Sequence, residues 1–318
     1  MTREVQVIDT GYNGNNFCAA FLMVEKDAAT IVETNTNFAV PRILDALAAA
    51  GRTPEQVEYI IVTHVHLDHA GGAAALMERC ANATLLAHER AAPHLIDPSK
   101  LVNSATAVYG GPEAFHRLYG DIGPIDAARV RVMKDEETLS FGQRTLRFLY
   151  TRGHANHHFC IHDDRSNGIF TGDAFGLRYP QLQAHGLLAF PTTTPTDFDG
   201  PAYRDTLRRI VDTGCDQVFL THYGAYSDVA AMAEVVDRQL CEYSALVDEA
   251  DEMVNEDSDL DSFCAERVSA IFAQELRSCG LEGDDDVRRL LALDVDLNAQ
   301  GVAFAVKKRR FKRAKAQA

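Results

Sequence analysis

Short apolar runs broken by turns fill the chain up to His222. "VQVID", "AAFLMVE" and "ATIVET" predict strands, as do "EYIIVT", "ATLLAHE", "RVRVM", "TLRFLY", "HFCIHD", "GIFTG" and "QVFLTH". Helical patterns stand between them. "VPRILDALAAAG" has Pro41 in its first turn and Gly51 as its stop, and "GGAAALMERC" and "AYRDTLRRIVDTG" are two more. Strands arriving in runs with helices between them suit an α/β fold of two packed sheets with helices outside. This predicts one domain over residues 1–226. From Ser227 the period becomes helical. "VAAMAEVVDRQLCEYSALVDEADEM" is long and amphipathic, "LDSFCAERVSAIFAQELRSCG" stops at Gly280, and "DDDVRRLLALDVDLNAQG" opens on three aspartates that suit a helix N-terminus. Residues 227–318 are thus predicted to be a helical C-terminal extension packed on the first domain, with Asp248 to Asp261 a solvated helix end and loop.

Composition narrows the class. The chain has 318 residues, 46% of them hydrophobic, enough for a full core. No apolar run approaches the roughly 20 residues of a membrane span, and the first residues lack a signal-peptide pattern. The seven cysteines are scattered, odd in number and without a C-x-x-C pair, which suits reduced thiols in a cytoplasmic setting. The net charge of −15 hides a basic tail, "KKRRFKRAK", that reads as a solvated C-terminus. The rest carries 24 basic against 46 acidic residues, a balance that argues against nucleic acid as the main partner.

The chemistry gathers after the strand "EYIIV". There "THVHLDHAGG" sets His64, His66, Asp68 and His69 within six positions. Two residues apart in extended backbone, His64 and His66 point the same way. Imidazoles with a carboxylate suit zinc, iron or manganese, not calcium. Histidines this dense are costly as buried spectators, because each ring nitrogen needs a partner. Further ligands are expected downstream at other strand ends. "YTRGHANHH" puts His154 after one strand, "GIFTGDAFG" puts Asp173 after another, and "QVFLTHYG" puts His222 after a third. A G-x-S-x-G elbow, a Walker loop and a G-x-G-x-x-G turn are all missing.

These motifs, "HVHLDH", "GHANHH", "TGDA" and "THYG", resemble in order and spacing those of the metallo-β-lactamase fold superfamily, the αββα hydrolases, over about residues 4 to 225. The resemblance implies an αββα sandwich of two mixed sheets and a dinuclear metal centre, zinc first, with iron or manganese compatible. It implies that His64, His66 and His154 hold one ion, that Asp68, His69 and His222 hold the other, and that Asp173 bridges both. Asp173 stands where a true β-lactamase carries cysteine or histidine, which resembles the glyoxalase II and lactonase branches instead. His66 stands where flavodiiron oxygen reductases carry glutamate, against redox chemistry. The segment "GDAFGLRYPQ" lacks the glycine- and cysteine-rich run of glyoxalase II, and Gly176 occupies the position where one lactonase branch has tyrosine. His157 and His158 are expected behind the ligands or in the core, and His88, His94, His116 and His162 read as structural.

Two divalent ions about 3.5–4 Å apart share a water and bring its pKa from about 15.7 toward about 7, which makes hydroxide cheaper by about 12 kcal/mol. A metal-bridging hydroxide, oriented by Asp68 and Asp173, is therefore the expected nucleophile in a hydrolase acting on a small ester, thioester or lactone. Between Asp173 and His222 lies a long Pro- and Thr-rich loop, whose Phe175, Tyr179, His185 and Phe190 are candidates to line an apolar pocket or to anchor the loop. The other readings are a phosphodiesterase on a small phosphodiester and a non-catalytic ligand-binding or regulatory member of the fold. The expected partner is a small-molecule substrate, with no nucleic acid and no membrane; a homodimer is compatible with the sequence.

Overall fold

Consecutive residues of a strand face opposite ways, and the chain's first sheet buries apolar side chains on both faces. The computed structural model describes residues 5–108, 110–254 and 257–317. The first sheet holds β1 (Gln6–Asp9), β2 (Ala19–Glu25), β3 (Ala28–Val32), β4 (Val57–Ile61), β5 (Thr84–His88) and β6 (Val130–Met133), in that order. Antiparallel pairing joins β1, β2 and β3, and β3 to β6 run parallel. The second sheet holds β7 (Thr138–Phe141), β8 (Arg144–Tyr150), β9 (Phe159–Asp163), β10 (Gly168–Gly172), β11 (Gln217–Leu220) and β12 (Gly224–Tyr226). Its order is β12-β11-β10-β9-β8-β7, antiparallel except for the parallel pair β10–β11.

The pleat explains why the strands of the first sheet read as continuous apolar runs. Ile31, Ile60 and Leu85 go to a core shared with α1 (Val40–Ala49), α2 (Leu67–Ala70), α3 (Ala73–Arg79) and α4 (Ala92–Ile96), through Ile43, Leu47, Ala70, Leu76, Met77 and Leu95. Their neighbours Val32, Ile61 and Leu86 go to a second core, with Phe21, Phe148, Phe159, Ile161, Phe170 and Phe219. That second core lies between the sheets, and the rings of Phe170 and Phe219 stack there at 4.7 Å. Two further helices, α5 (Ser99–Val108) and α6 (Pro112–Tyr119), follow α4 in a stretch where the sequence pattern predicted no element. α6 buries Phe115 and Tyr119, one turn apart. The four-residue β7 also lay below the sequence signal, and its antiparallel partner β8 secures it.

By contact the chain divides into two compact units. The first comprises residues 5–150, 157–172 and 215–227, and so contains both sheets. The second comprises residues 151–156, 173–214 and 228–317. In the second unit, α7 (Gly200–Val211) packs on α8 (Val229–Met253), and α9 (Asp257–Ser278) and α10 (Asp285–Gln317) pack on α8 and on each other. The side chain of Asp199 caps α7 by accepting the Ala202 N–H at 3.1 Å. Buried Met232, Val236, Leu240, Tyr243 and Val247 form the apolar stripe of α8.

The C-terminal helix runs further than its sequence suggested. It passes through Gly301 and carries the basic tail as continuous helix to Gln317. The tail is solvent-exposed, as expected, but not frayed: it stays helical, and the acidic stretch pairs with it. Arg309 bonds Asp248 at 2.5 Å, Arg310 and Arg313 bond Asp251 at 3.1 and 2.7 Å, and Lys307 bonds Asp261 at 2.8 Å. Among the described residues no helix is long and apolar enough to cross a membrane.

Candidate metal centre

Each predicted ligand follows a strand end, where the chain turns away and frees its side chain from the sheet. In the first unit, His64 lies just past β4, and His66 stands at the N-cap of α2 with extended backbone. Asp68 and His69 occupy that short helix, and His222 follows β11. The unit brings these five residues together. The rings of His64 and His66 are 4.4 Å apart, and those of His64 and His69 are 4.0 Å apart. Asp68, His69 and His222 present donor atoms all within 4.8 Å of one another, as do Glu33, His64 and His69. His157 and His158 stand behind the cluster, at 6.0 and 4.9 Å from the His64 ring.

In the second unit, His154 and Asp173 meet, with His154 Nε2 3.4 Å from Asp173 Oδ2. Gly153 has φ of +114°, and a Cβ there would lie 2.3 Å from the Tyr203 backbone, so only glycine lets the chain pass α7 at this point. The Tyr203 hydroxyl donates to the Asp173 carbonyl, and burial pushes its pKa up, so it stays a donor.

The ring nitrogens show one pattern three times. His69 Nδ1 bonds Glu33 Oε1 at 3.1 Å, His222 Nδ1 bonds the Phe17 carbonyl at 3.1 Å, and His154 Nδ1 bonds the Thr192 carbonyl at 3.0 Å. Because these acceptors fix the proton on Nδ1, each Nε2 keeps its lone pair. Each Nε2 also faces a carboxylate: Asp68 Oδ2 stands 3.8 Å from that of His69 and 3.4 Å from that of His222, and Asp173 serves His154. Neutral imidazole Nε2 atoms held beside carboxylates, with Nδ1 tied to protein oxygen, form a donor set that fits a divalent transition-type ion.

One contributor was not foreseen. Glu33, 0% exposed, follows β3 and gathers four donors. Its carboxylate accepts from the Thr63 hydroxyl at 2.5 Å, the Thr63 N–H at 3.3 Å, His69 Nδ1 and the Thr221 hydroxyl at 3.2 Å. With its oxygens so engaged, Glu33 acts as a hydrogen-bond hub and not as a ligand. Since Thr63 Oγ1 gives its proton to Glu33, it accepts from His64 Nδ1 at 3.0 Å, which orients a fourth histidine. Next to Glu33, the Thr34 hydroxyl holds the His69 carbonyl at 2.9 Å, and Asn35 Nδ2 holds that of Asp68 at 2.7 Å. The signal was the run "ETNT": polar residues at the end of an apolar strand, the same feature that marked "THVHLDH".

The four residues named as pocket or loop-anchor candidates all lie in the second unit. Phe175, Tyr179 and Phe190 are buried, and His185 is exposed. The Tyr179 hydroxyl bonds both Asp294 carboxylate oxygens at 3.2 Å, and Phe190 stacks on Phe272 of α9 at 4.3 Å. These two side chains tie the loop to the helices of its own unit.

Two stacked mixed sheets, with histidines and aspartates following their strand ends, define one fold with candidate metal-binding clusters. Residues 13–222 match the metallo-beta-lactamase superfamily, and the chain belongs to that family. It is 29% identical over 177 residues to a metallo-beta-lactamase fold-containing protein of Sulfurisphaera tokodaii, covering 54% of this chain and 63% of that protein. It is 29% identical over 130 residues to a rubredoxin-oxygen oxidoreductase of Megalodesulfovibrio gigas, covering 41% and 26%. It is 27% identical over 160 residues to an atrochrysone carboxyl ACP thioesterase of Aspergillus fumigatus, covering 50% and 36%. The chain thus spans less than two thirds of the length of these relatives. The solved archaeal metallo-beta-lactamase superfamily protein from Sulfolobus tokodaii superposes with a TM-score of 0.65 at 20% identity, over 95% of this chain and 99% of that one. Its fold is therefore the αββα arrangement expected from the motifs.

Proposed function

We propose that the chain is a dinuclear metal-dependent hydrolase of a small ester, thioester or lactone. His64, His66 and His154 would hold one ion, Asp68, His69 and His222 the other, and Asp173 would serve both. The carrying observation is the threefold pattern in which Nδ1 is tied to a protein oxygen and Nε2 faces a carboxylate. Family membership and the order of the motifs support joining the two sets at one metal pair. Bound zinc, or iron or manganese, would supply Lewis-acid activation of water at neutral pH. The chain's own part is to hold four imidazoles neutral, keep two carboxylates at their edges and fix both through Glu33, Thr192 and Tyr203. An aspartate in place of the lactamase cysteine or histidine points away from β-lactams, and the thioesterase of Aspergillus fumigatus favours acyl substrates.

The test combines metal quantification with turnover of ester, thioester, lactone and bis-aryl phosphate substrates, before and after chelation. Two ions per chain are expected, with acyl turnover lost on chelation and restored by zinc. Asp173→Asn is expected to remove about 100-fold or more of the turnover while the chain still folds. Faster phosphodiester than acyl turnover would make the phosphodiesterase reading the right one. Full metal loading without turnover of any substrate would point to a binding protein.

A further inference from the structure

We infer that Asn298, in the C-terminal helix, is a positioning residue that sets the geometry of the ligands His154 and Asp173; this rests on their assignment as metal ligands. Asn298 lies on the buried stripe of α10 with Leu291, Asp294 and Val302, and is 2% exposed. A buried amide on an apolar stripe is costly unless its hydrogen bonds are met. Here most of them go to one tripeptide of the loop. Asn298 Oδ1 accepts the Thr193 N–H at 2.6 Å, its Nδ2 donates to the Pro191 carbonyl at 2.9 Å, and the Thr193 hydroxyl lies 3.0 Å from the Asn298 carbonyl and 3.1 Å from Oδ1. One side chain therefore grips the residues before and after Thr192.

Thr192 is the residue that touches both ligands. Its carbonyl accepts from His154 Nδ1 at 3.0 Å. Its hydroxyl donates to the Asp173 carbonyl at 2.8 Å and lies 3.2 Å from the Tyr203 hydroxyl. Rotating or sliding Thr192 turns the His154 ring and shifts the Asp173 backbone together.

A second observation on the same helix face points the same way. Gly301, one turn beyond Asn298, sits inside a 33-residue helix, where glycine is less favourable than alanine. A Cβ at that position would lie 1.3 Å from the Thr193 carbonyl oxygen, so the glycine lets the loop backbone rest on the helix. Asn298 supplies the grip and Gly301 the clearance, and both act on residues 191–193. Through them the C-terminal helix becomes a determinant of metal affinity.

The experiment titrates the metal-free full chain with zinc in competition with a chromophoric chelator, and records its thermal melt without metal. Asn298→Ala and Gly301→Ala are compared with the unaltered chain and with Lys307→Gln, a surface change on the same helix. Groups that orient ligands are expected to cost about 10- to 100-fold in affinity, so both variants should weaken zinc binding by that factor while Lys307→Gln leaves it unchanged. Variants that melt earlier but bind zinc as the unaltered chain does would overturn the inference, since a merely structural clamp moves only the melt. Should either variant fail to fold, Thr193→Val removes only the hydroxyl that Asn298 holds, and a severalfold loss of affinity is expected; no loss would count against it equally. If the unaltered chain takes up no zinc, iron or manganese, the ligand assignment itself fails, which is a different result.

Discussion

Replacing Glu33 by glutamine changes one carboxylate oxygen into an NH2 group at nearly constant volume. The four donors around Glu33 divide unevenly between its oxygens. Three bond Oε1, from Thr63, His69 and Thr221, and the Thr63 N–H bonds Oε2. Glutamine can turn its oxygen toward the three, and its NH2 then confronts the Thr63 N–H. A buried donor left facing a donor costs about 1–3 kcal/mol, and three charge-assisted bonds that become neutral lose about 1 kcal/mol each. Together this is about 4–6 kcal/mol, a large share of a domain's typical margin of about 5–15 kcal/mol. The same change loosens His69 and, through the Thr63 hydroxyl, His64. Urea unfolding of the metal-free protein should show the stability loss, and zinc titration of the surviving fold a loss of about 10-fold or more in affinity. A variant less than about 1 kcal/mol weaker, with unchanged metal binding, would refute the hub.

Two other predictions concern buried charge and protons. Arg144, 1% exposed, donates to Glu25 at 2.9 Å and to Asp163, while Arg165 donates to both Glu25 oxygens at 2.7 Å. Arg144→Met leaves buried Glu25 with Arg165 as its cation and buried Asp163 with only the Ser166 hydroxyl and two backbone N–H groups, and should cost about 3–5 kcal/mol in urea unfolding; a loss under about 1 kcal/mol would contradict this account. Burial, reinforced by His157 and Arg90, pushes His88 down to about 4, and its Nδ1 accepts the Arg90 N–H at 3.0 Å. Its folded pKa lies below that of the unfolded chain, so the folded state holds His88 neutral. This contribution is full above about pH 6.5 and drains away as pH falls toward about 4, worth about 2 kcal/mol after solvent screening. His88→Gln should flatten the melting temperature across that window, and an unchanged slope would remove His88 as its source.

The candidate ligand positions were legible because strand ends announce themselves. An apolar run that stops on His, Asp or Gly-His is visible without any structure, and all seven candidates stand at such places. Glu33 carried the same signal and was absorbed into the strand "ATIVET", since a single carboxylate at a strand's end reads as its exposed terminus. Thr192, Tyr203 and Asn298 were harder to see. Hydroxyl and amide groups have no periodicity of their own, and their work depends on which backbone group the fold brings to them. The stripe of α10 did hold a clue: Asp294 and Asn298 fall at helical spacing among apolar positions, where polar residues need partners. The two sheets and the long helices followed from periodicity. The helices between Ala92 and Tyr119 were not read, although α5 is as long as α1; α5 buries none of its described residues fully, so no apolar face stands out.

Chain order and compactness part company in this molecule. Residues 151–156 and 173–214, inserted between strands of the second sheet, belong to the same unit as the terminal helices. Cutting after residue 226 would strip the Pro191–Thr193 segment of the helix that grips it, and would leave Tyr179 and Phe190 without Asp294 and Phe272. The terminal helices are thus no detachable appendage, because they and residues 173–214 complete one another's core. Exchanging them between relatives would require transplanting both.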